Sequence, residues 1–213
     1  MSQITTQLDD AGAVDPNQVP DPSRRFWVTT ACAVGGVAGA ATVVPFVSSF
    51  APSEKAKAAG APVEVNVTTI APGEMRTVEW RGKPVWLLHR TEEQLKTLKG
   101  HDNQLADPHS ERPGFTPEYA KNEYRSRKPE LFVAVGICTH LGCSPTTAFG
   151  SGGAGLPANW DGGFFCPCHG STFDLAGRVY SNKPAPDNLE VPPYSFSADG
   201  SIVTIGVDED NKA

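Results

Sequence analysis

Cys138-Thr139-His140-Leu141-Gly142-Cys143 and Cys166-Pro167-Cys168-His169-Gly170-Ser171 carry the chemistry of this chain. Each follows a strand-like apolar run, Leu131-Phe132-Val133-Ala134-Val135 before the first and Gly163-Phe164-Phe165 before the second, and each contains glycine. Both therefore read as loops at strand ends. Each loop holds one Cys and one His close together, plus a second Cys. Thiolates and imidazoles in such pairs bind a transition metal. Two centres satisfy the residues. A four-coordinate zinc takes two Cys and two His and leaves one spare cysteine in each loop. A [2Fe–2S] cluster takes two Cys on one iron and two His on the other.

Working outward, the pattern around the loops is β-type. Val63-Glu64-Val65-Asn66-Val67-Thr68 alternates, and Met75–Trp80 and Lys83–His89 flank Arg81-Gly82 as a hairpin. Ile202-Val203-Thr204-Ile205 supplies a last strand. Thr91-Glu92-Glu93-Gln94 predicts a capping box opening a short helix that stops at Gly100. Residues 101–129 are polar and irregular and predict a surface insertion, and the glycine-rich 150–155 predicts another. Residues 63–213 are thus expected to form a mainly β, mostly antiparallel domain.

The 213 residues carry 18 basic and 24 acidic side chains, a net charge of −6 that excludes nucleic-acid binding through a basic surface. Residues 1–22 are polar and predict a disordered tail. From Phe26 to Phe50 no residue is charged. At 1.5 Å per residue that run reaches roughly 37 Å, enough to cross a ~30 Å hydrocarbon core. Ser23-Arg24-Arg25 before it resembles a twin-arginine export signal, and no A-x-A cleavage site ends it, so residues 23–50 are expected to remain as an anchor. Such a signal places the N-terminus in the cytoplasm and the head outside. Within the run, Ala31, Gly35 and Gly39 recur every four residues, and Cys32 reads as a small apolar residue. Residues 51–62 predict an unpatterned flexible hinge of at most ~40 Å when extended.

The two loop motifs resemble the signature of Rieske iron–sulfur proteins, and more narrowly that of the Rieske subunit of quinol–cytochrome c reductase, the cytochrome bc complex of bacterial membranes. The resemblance extends over the export signal, anchor, hinge, head, both loops and Lys183-Pro184-Ala185-Pro186. It implies an antiparallel β-sandwich head with a small cluster-binding subdomain and one [2Fe–2S] cluster. Cys138 and Cys166 would bind the inner iron, His140 and His169 the exposed outer iron, and Cys143 and Cys168 would form a disulfide between the loops. Ser171 matches a serine that hydrogen-bonds the cluster. Leu141 matches an apolar residue facing the quinone pocket, and Pro184, Ala185 and Pro186 match a proline loop covering the third side. Phe173 stands where many members have a tyrosine that donates to a ligand cysteine.

By the same resemblance, the head accepts one electron from a ubiquinol-type substrate, with a proton at a cluster histidine, and delivers the electron to a c-type cytochrome. Cytochrome b would be the membrane partner in a dimeric complex. Two neutral imidazoles leave the oxidised cluster uncharged, so an electron is added more easily than to an all-cysteine cluster carrying −2. The general range for Rieske centres is about −150 to +300 mV, against about −400 mV for plant-type ferredoxins. A different exported enzyme, such as arsenite oxidase, also has a small Rieske subunit; the retained anchor, hinge and Pro-Ala-Pro stretch favour the quinol enzyme. His89, His101 and His109 read as packing or surface residues, and no G-x-S-x-G, P-loop or dinucleotide motif is present.

Overall fold

The computed structural model describes residues 21–150, 156 and 160–208. The expected disordered tail, apart from its last two residues, and most of the glycine-rich 150–155 stretch lie outside them. The chain divides into two compact units, residues 1–53 and 54–213.

In the first unit, Asp21 caps helix α1 (Pro22–Ser48), its carboxylate accepting from the Ser23 backbone N–H at 2.9 Å. Proline in the first turn suits the fixed φ of a helix start, where its missing N–H is not needed. The 27 residues span about 40 Å at 1.5 Å per residue. Its apolar side chains, among them Phe26, Trp27, Val37 and Phe46, are exposed all round rather than along one stripe. The threonine hydroxyls within it are already satisfied: Thr29, Thr30 and Thr42 donate to carbonyls one turn back. A helix with apolar sides and no unpaired hydroxyl meets the requirement of a lipid interior.

The second unit begins with a difference from expectation. Glu54–Ala59, inside the stretch read as an unpatterned hinge, form a short helix, α2. Glu-Lys-Ala-Lys-Ala-Ala consists of strong helix formers, and Lys57 pairs with Glu54 at 2.8 Å. The small-residue composition was therefore a propensity signal as well as a linker signal.

The remainder of the unit holds three antiparallel sheets among the described residues. One orders β1 (Val63–Asn66), β9 (Ile202–Ile205) and β8 (Tyr194–Phe196) as β1-β9-β8. The second is β2 (Met75–Trp80), β3 (Lys83–His89) and β4 (Leu131–Val135). The third is β5 (Thr146–Ala148), β6 (Gly163–Cys166) and β7 (Ser171–Phe173). The β2–β3 hairpin closes at Trp80↔Lys83, with φ of 52° at Arg81 and 71° at Gly82, the positive pair that a two-residue turn requires. Strands β5, β7 and β8, three residues each, are too short to show a period in the sequence. The capping box at Thr91 and Gln94 forms, but its helix α3 (Glu92–Lys96) ends before Gly100.

The middle sheet is the floor of the core. Leu87, Leu88, Phe132 and Val133 are fully buried, and Trp86 stacks on Phe164 of β6 with ring centroids 4.9 Å apart. That stack joins the middle sheet to the sheet carrying the second loop. Gly136, just after β4, is dictated by the same contact: a Cβ there would lie 2.2 Å from the Trp86 ring.

Residues 101–129 are not the surface insertion expected from their polarity. They enclose Ser110, Thr116, Ala120, Arg125 and Ser126, all buried. Arg125 is 0% exposed and uses its whole guanidinium fork. It donates to Ser110 Oγ at 2.8 Å, Thr116 Oγ1 at 2.6 Å, Leu189 O at 2.7 Å, Ala176 O at 2.9 Å and Gly177 O at 3.2 Å. Arg90 and Arg178 are buried beside it, with Asp174 paired to Arg178 at 2.7 Å. Burial pushes the Arg90 and Arg125 guanidinium groups down to about 10, still protonated at neutral pH.

Candidate metal centre

β4 delivers the first loop and the β6–β7 hairpin carries the second, so the Cys138–Cys143 and Cys166–Ser171 segments emerge from the sheets joined by the Trp86–Phe164 stack. Each loop is wound on its own backbone. Cys138 N–H donates to Cys143 O at 2.7 Å and Gly142 N–H to Cys138 O at 3.1 Å. In the second loop Gly170 N–H donates to Cys166 O at 2.9 Å, and Cys166 pairs with Ser171 across the hairpin.

Cys143 and Cys168 are joined by a disulfide that closes a separation of 25 residues. Cys138 and Cys166 are free thiols, each 2% exposed. Burial pushes the Cys138 thiol up and the neighbouring Cys166 pushes the same way, against the opposing influence of the His140 backbone N–H and the Ser171 side chain. An apolar pocket that resists an isolated thiolate suits one stabilised by metal, because the metal supplies the counter-charge. The Sγ atoms of Cys143, Cys166 and Cys168 lie within 4.8 Å of one another, so the disulfide abuts the free Cys166 thiol.

The histidines lie together on the outer side. The His140 and His169 rings are 4.8 Å apart at 89°, His140 half-buried and His169 exposed. Leu141 beside them is 71% exposed, in contrast to the buried leucines of the sheets. The donor set thus separates into an inner pair of thiols and an outer pair of imidazoles. That chemistry fits a binuclear cluster with unlike irons, and the disulfide accounts for the two cysteines a zinc reading would leave spare.

The segment 184–187, the proline stretch and the Asp187 that follows it, touches both loops. Ala185 N–H donates to the fully buried Ser171 Oγ at 3.0 Å, and Thr139 Oγ1 donates to Asp187 O at 2.6 Å. Thr139 and Asp187 were not singled out in the sequence. A threonine between two metal donors has no pattern of its own, and its acceptor lies 48 residues away. Of the other histidines, His89 is in hydrogen-bond contact with Ile70 O at 2.7 Å, and His101 meets Asp174 at 3.2 Å. Both serve packing, and His109 is exposed. A cleft of about 430 Å³ lined by residues including Lys96, His101, Gln104 and Tyr180 contains none of the loop cysteines or histidines.

Comparison with known proteins agrees with this geometry. Residues 121–194 match the family model of the Rieske [2Fe-2S] domain, and residues 16–53 match that of the ubiquinol–cytochrome c reductase Fe–S subunit TAT signal. The chain is 51% identical over 185 residues to the ubiquinol–cytochrome c reductase iron–sulfur subunit of Allochromatium vinosum, covering 87% of this chain and 88% of that one. It is 41% identical to the subunit of the same name from Bradyrhizobium diazoefficiens, covering 85% and 93%. For that of Rhodospirillum rubrum the identity is 40%, covering 86% and 92%. With its membrane-type helix, paired loops and inter-loop disulfide, this chain belongs to the family of ubiquinol–cytochrome c reductase iron–sulfur subunits and carries that family's Rieske [2Fe–2S] domain.

Proposed function

We propose that the chain is the high-potential electron carrier of a quinol–cytochrome c oxidoreductase, with Cys138 and Cys166 as inner ligands and His140 and His169 as outer ligands. The observation that carries this reading is the exposed His140–His169 edge beside Leu141, backed by the buried thiol pair. When bound, the [2Fe–2S] cluster supplies one-electron chemistry at high potential. The chain's own residues do the rest. The two imidazoles meet at this edge, His169 exposed and His140 half-buried, where a ring nitrogen can accept the proton of a quinol hydroxyl. Leu141 offers an apolar contact for the quinone ring next to them. The disulfide and the Thr139–Asp187 bond keep the two loops at one spacing while the electron passes.

The membrane partner in this reading is a cytochrome b that docks the quinol, and the acceptor is a c-type cytochrome, in a dimeric complex. The N-terminus faces the cytoplasm and the head the periplasm, as a twin-arginine signal followed by a retained anchor would place them. Residues 51–62 act as the hinge on which the head travels between donor and acceptor. Replacing residues inside 54–59 with prolines is expected to slow cytochrome c reduction while leaving the cluster signal intact; unchanged turnover argues against a moving head.

An EPR-monitored redox titration of the membrane-bound protein at two pH values tests the whole assignment. The expected result is a [2Fe–2S] signal already present with ascorbate, with a midpoint that falls as pH rises, because reduction then carries a proton. A signal that needs dithionite and ignores pH indicates a low-potential carrier instead. Zinc without an EPR signal removes the ligand assignment.

A further inference from the structure

Pro184-Ala185-Pro186 can be held by few groups of its own. Both prolines lack an N–H, and the single one available, that of Ala185, is spent on Ser171. Beyond the packing of buried Ala185 in the core, its remaining polar anchorage comes from donors elsewhere, and the segment 101–129 supplies one. Arg112 Nη1 donates to Pro186 O and pairs with the Asp187 carboxylate at 3.0 Å. The Asp187 carbonyl is the acceptor of Thr139, which sits between Cys138 and His140.

Arg112 is itself tethered. Its backbone N–H donates to the buried Asp107 carboxylate at 3.2 Å, and Asp107 O accepts from Asn188 Nδ2 at 2.8 Å. The connections run from Asp107 through Arg112 to Asp187, and back through Asn188, so the guanidinium closes a ring around the end of the proline stretch.

We propose that Arg112 is a positioning residue that holds the proline stretch against both ligand loops and so keeps water from that side of the cluster. The proposal rests on the ligand assignment above. It gives residues 101–129 a function their sequence did not suggest.

The test uses full-length holoprotein in detergent, with the variants Arg112→Ala, Arg112→Lys and Asp187→Asn. Two readouts are taken: deuterium coupling to the reduced-cluster EPR signal after transfer to D2O, and the rate of cluster bleaching by a chelator. For Arg112→Ala the signal is retained, deuterium coupling increases, and bleaching accelerates roughly fivefold, the effect of losing a partly exposed charge-assisted contact. Arg112→Lys lies between the two, since lysine restores the charge but not the fork. The side chain is 43% exposed, so folding should survive. Should Arg112→Ala alter far-UV circular dichroism, Asp187→Asn carries the test, with a smaller change in the same direction. Wild-type coupling and bleaching in the variants overturn this inference alone. Absence of any cluster signal in the wild type overturns the ligand assignment and this inference with it.

Discussion

The sheets and the two ligand loops of the head are held by different forces. In the sheets, Leu87, Phe132, Phe164 and Val203 are fully buried and stabilisation comes from removing apolar surface from water. In the loops, Leu141, Cys168 and His169 are exposed, and the chain is held by a disulfide, short hydrogen bonds and whatever metal it binds. A group that exchanges electrons with a partner must lie near the surface, so its loops cannot bury themselves for stability. Covalent and polar restraints replace the missing core. The same contrast separates helix α1 from the sheets, since its valines and phenylalanines remain exposed for a different solvent.

The largest expected effect lies in the sheets' polar interior. Asp174→Ala leaves buried Arg178 with only the half-exposed Asp102 as a counter-charge, at 3.1 Å, and should cost about 3 kcal/mol in urea unfolding of the head. Burial acts to raise the Asp174 carboxyl, but Arg178 and the His101 contact outweigh it and hold the group below its usual range. A depressed carboxylate stabilises the fold above its unfolded value near ~3.9 and loses that contribution as pH falls through the native value. Acid unfolding below about pH 4 should therefore be blunted in Asp174→Asn relative to its own neutral-pH stability.

Next in size is the disulfide. Replacing Cys143 and Cys168 together by serine removes a closure of 25 residues. That loop is worth about 3.5 kcal/mol in the chain-entropy estimate, whose mechanism is model-dependent. The expected outcome is that the cluster's visible and EPR signals disappear while far-UV circular dichroism survives. Simultaneous loss of both would show that loops and sheets form one cooperative unit.

A smaller effect is expected for Thr139→Val, which deletes the 2.6 Å bond to Asp187 O. The cost should be about 1 kcal/mol, read as a lower thermal midpoint for cluster loss than for the sheets. Smallest in stability is Phe173→Tyr, at a fully buried position on β7. A phenol that donates to a ligand thiolate withdraws charge from it, so the variant's midpoint potential should rise. A potential at or below the wild-type value would mean the hydroxyl does not reach the sulfur.

Much of the site was legible because it is local. Donor spacing within each loop, the uncharged run of α1 and the alternating strands around a two-residue turn are properties of neighbouring residues. What was misread was polar chain that ends up inside. Residues 101–129 look like surface because arginine, serine and threonine are seldom buried. Arg125 is buried here because Ser110, Thr116, Ala176, Gly177 and Leu189 converge on its five N–H groups. No window of sequence contains that convergence.

The sequence by itself therefore determined which residues can bind metal, that they lie in two strand-end loops, and that an apolar helix precedes the head. Those follow from side-chain chemistry and short-range periodicity. Only the tertiary structure decided how the His140 and His169 rings meet, 4.8 Å apart at 89°, and that a remote arginine closes on the proline stretch. Arg112 and Pro186 are 74 residues apart, and contacts at such separations depend on how all the intervening chain packs.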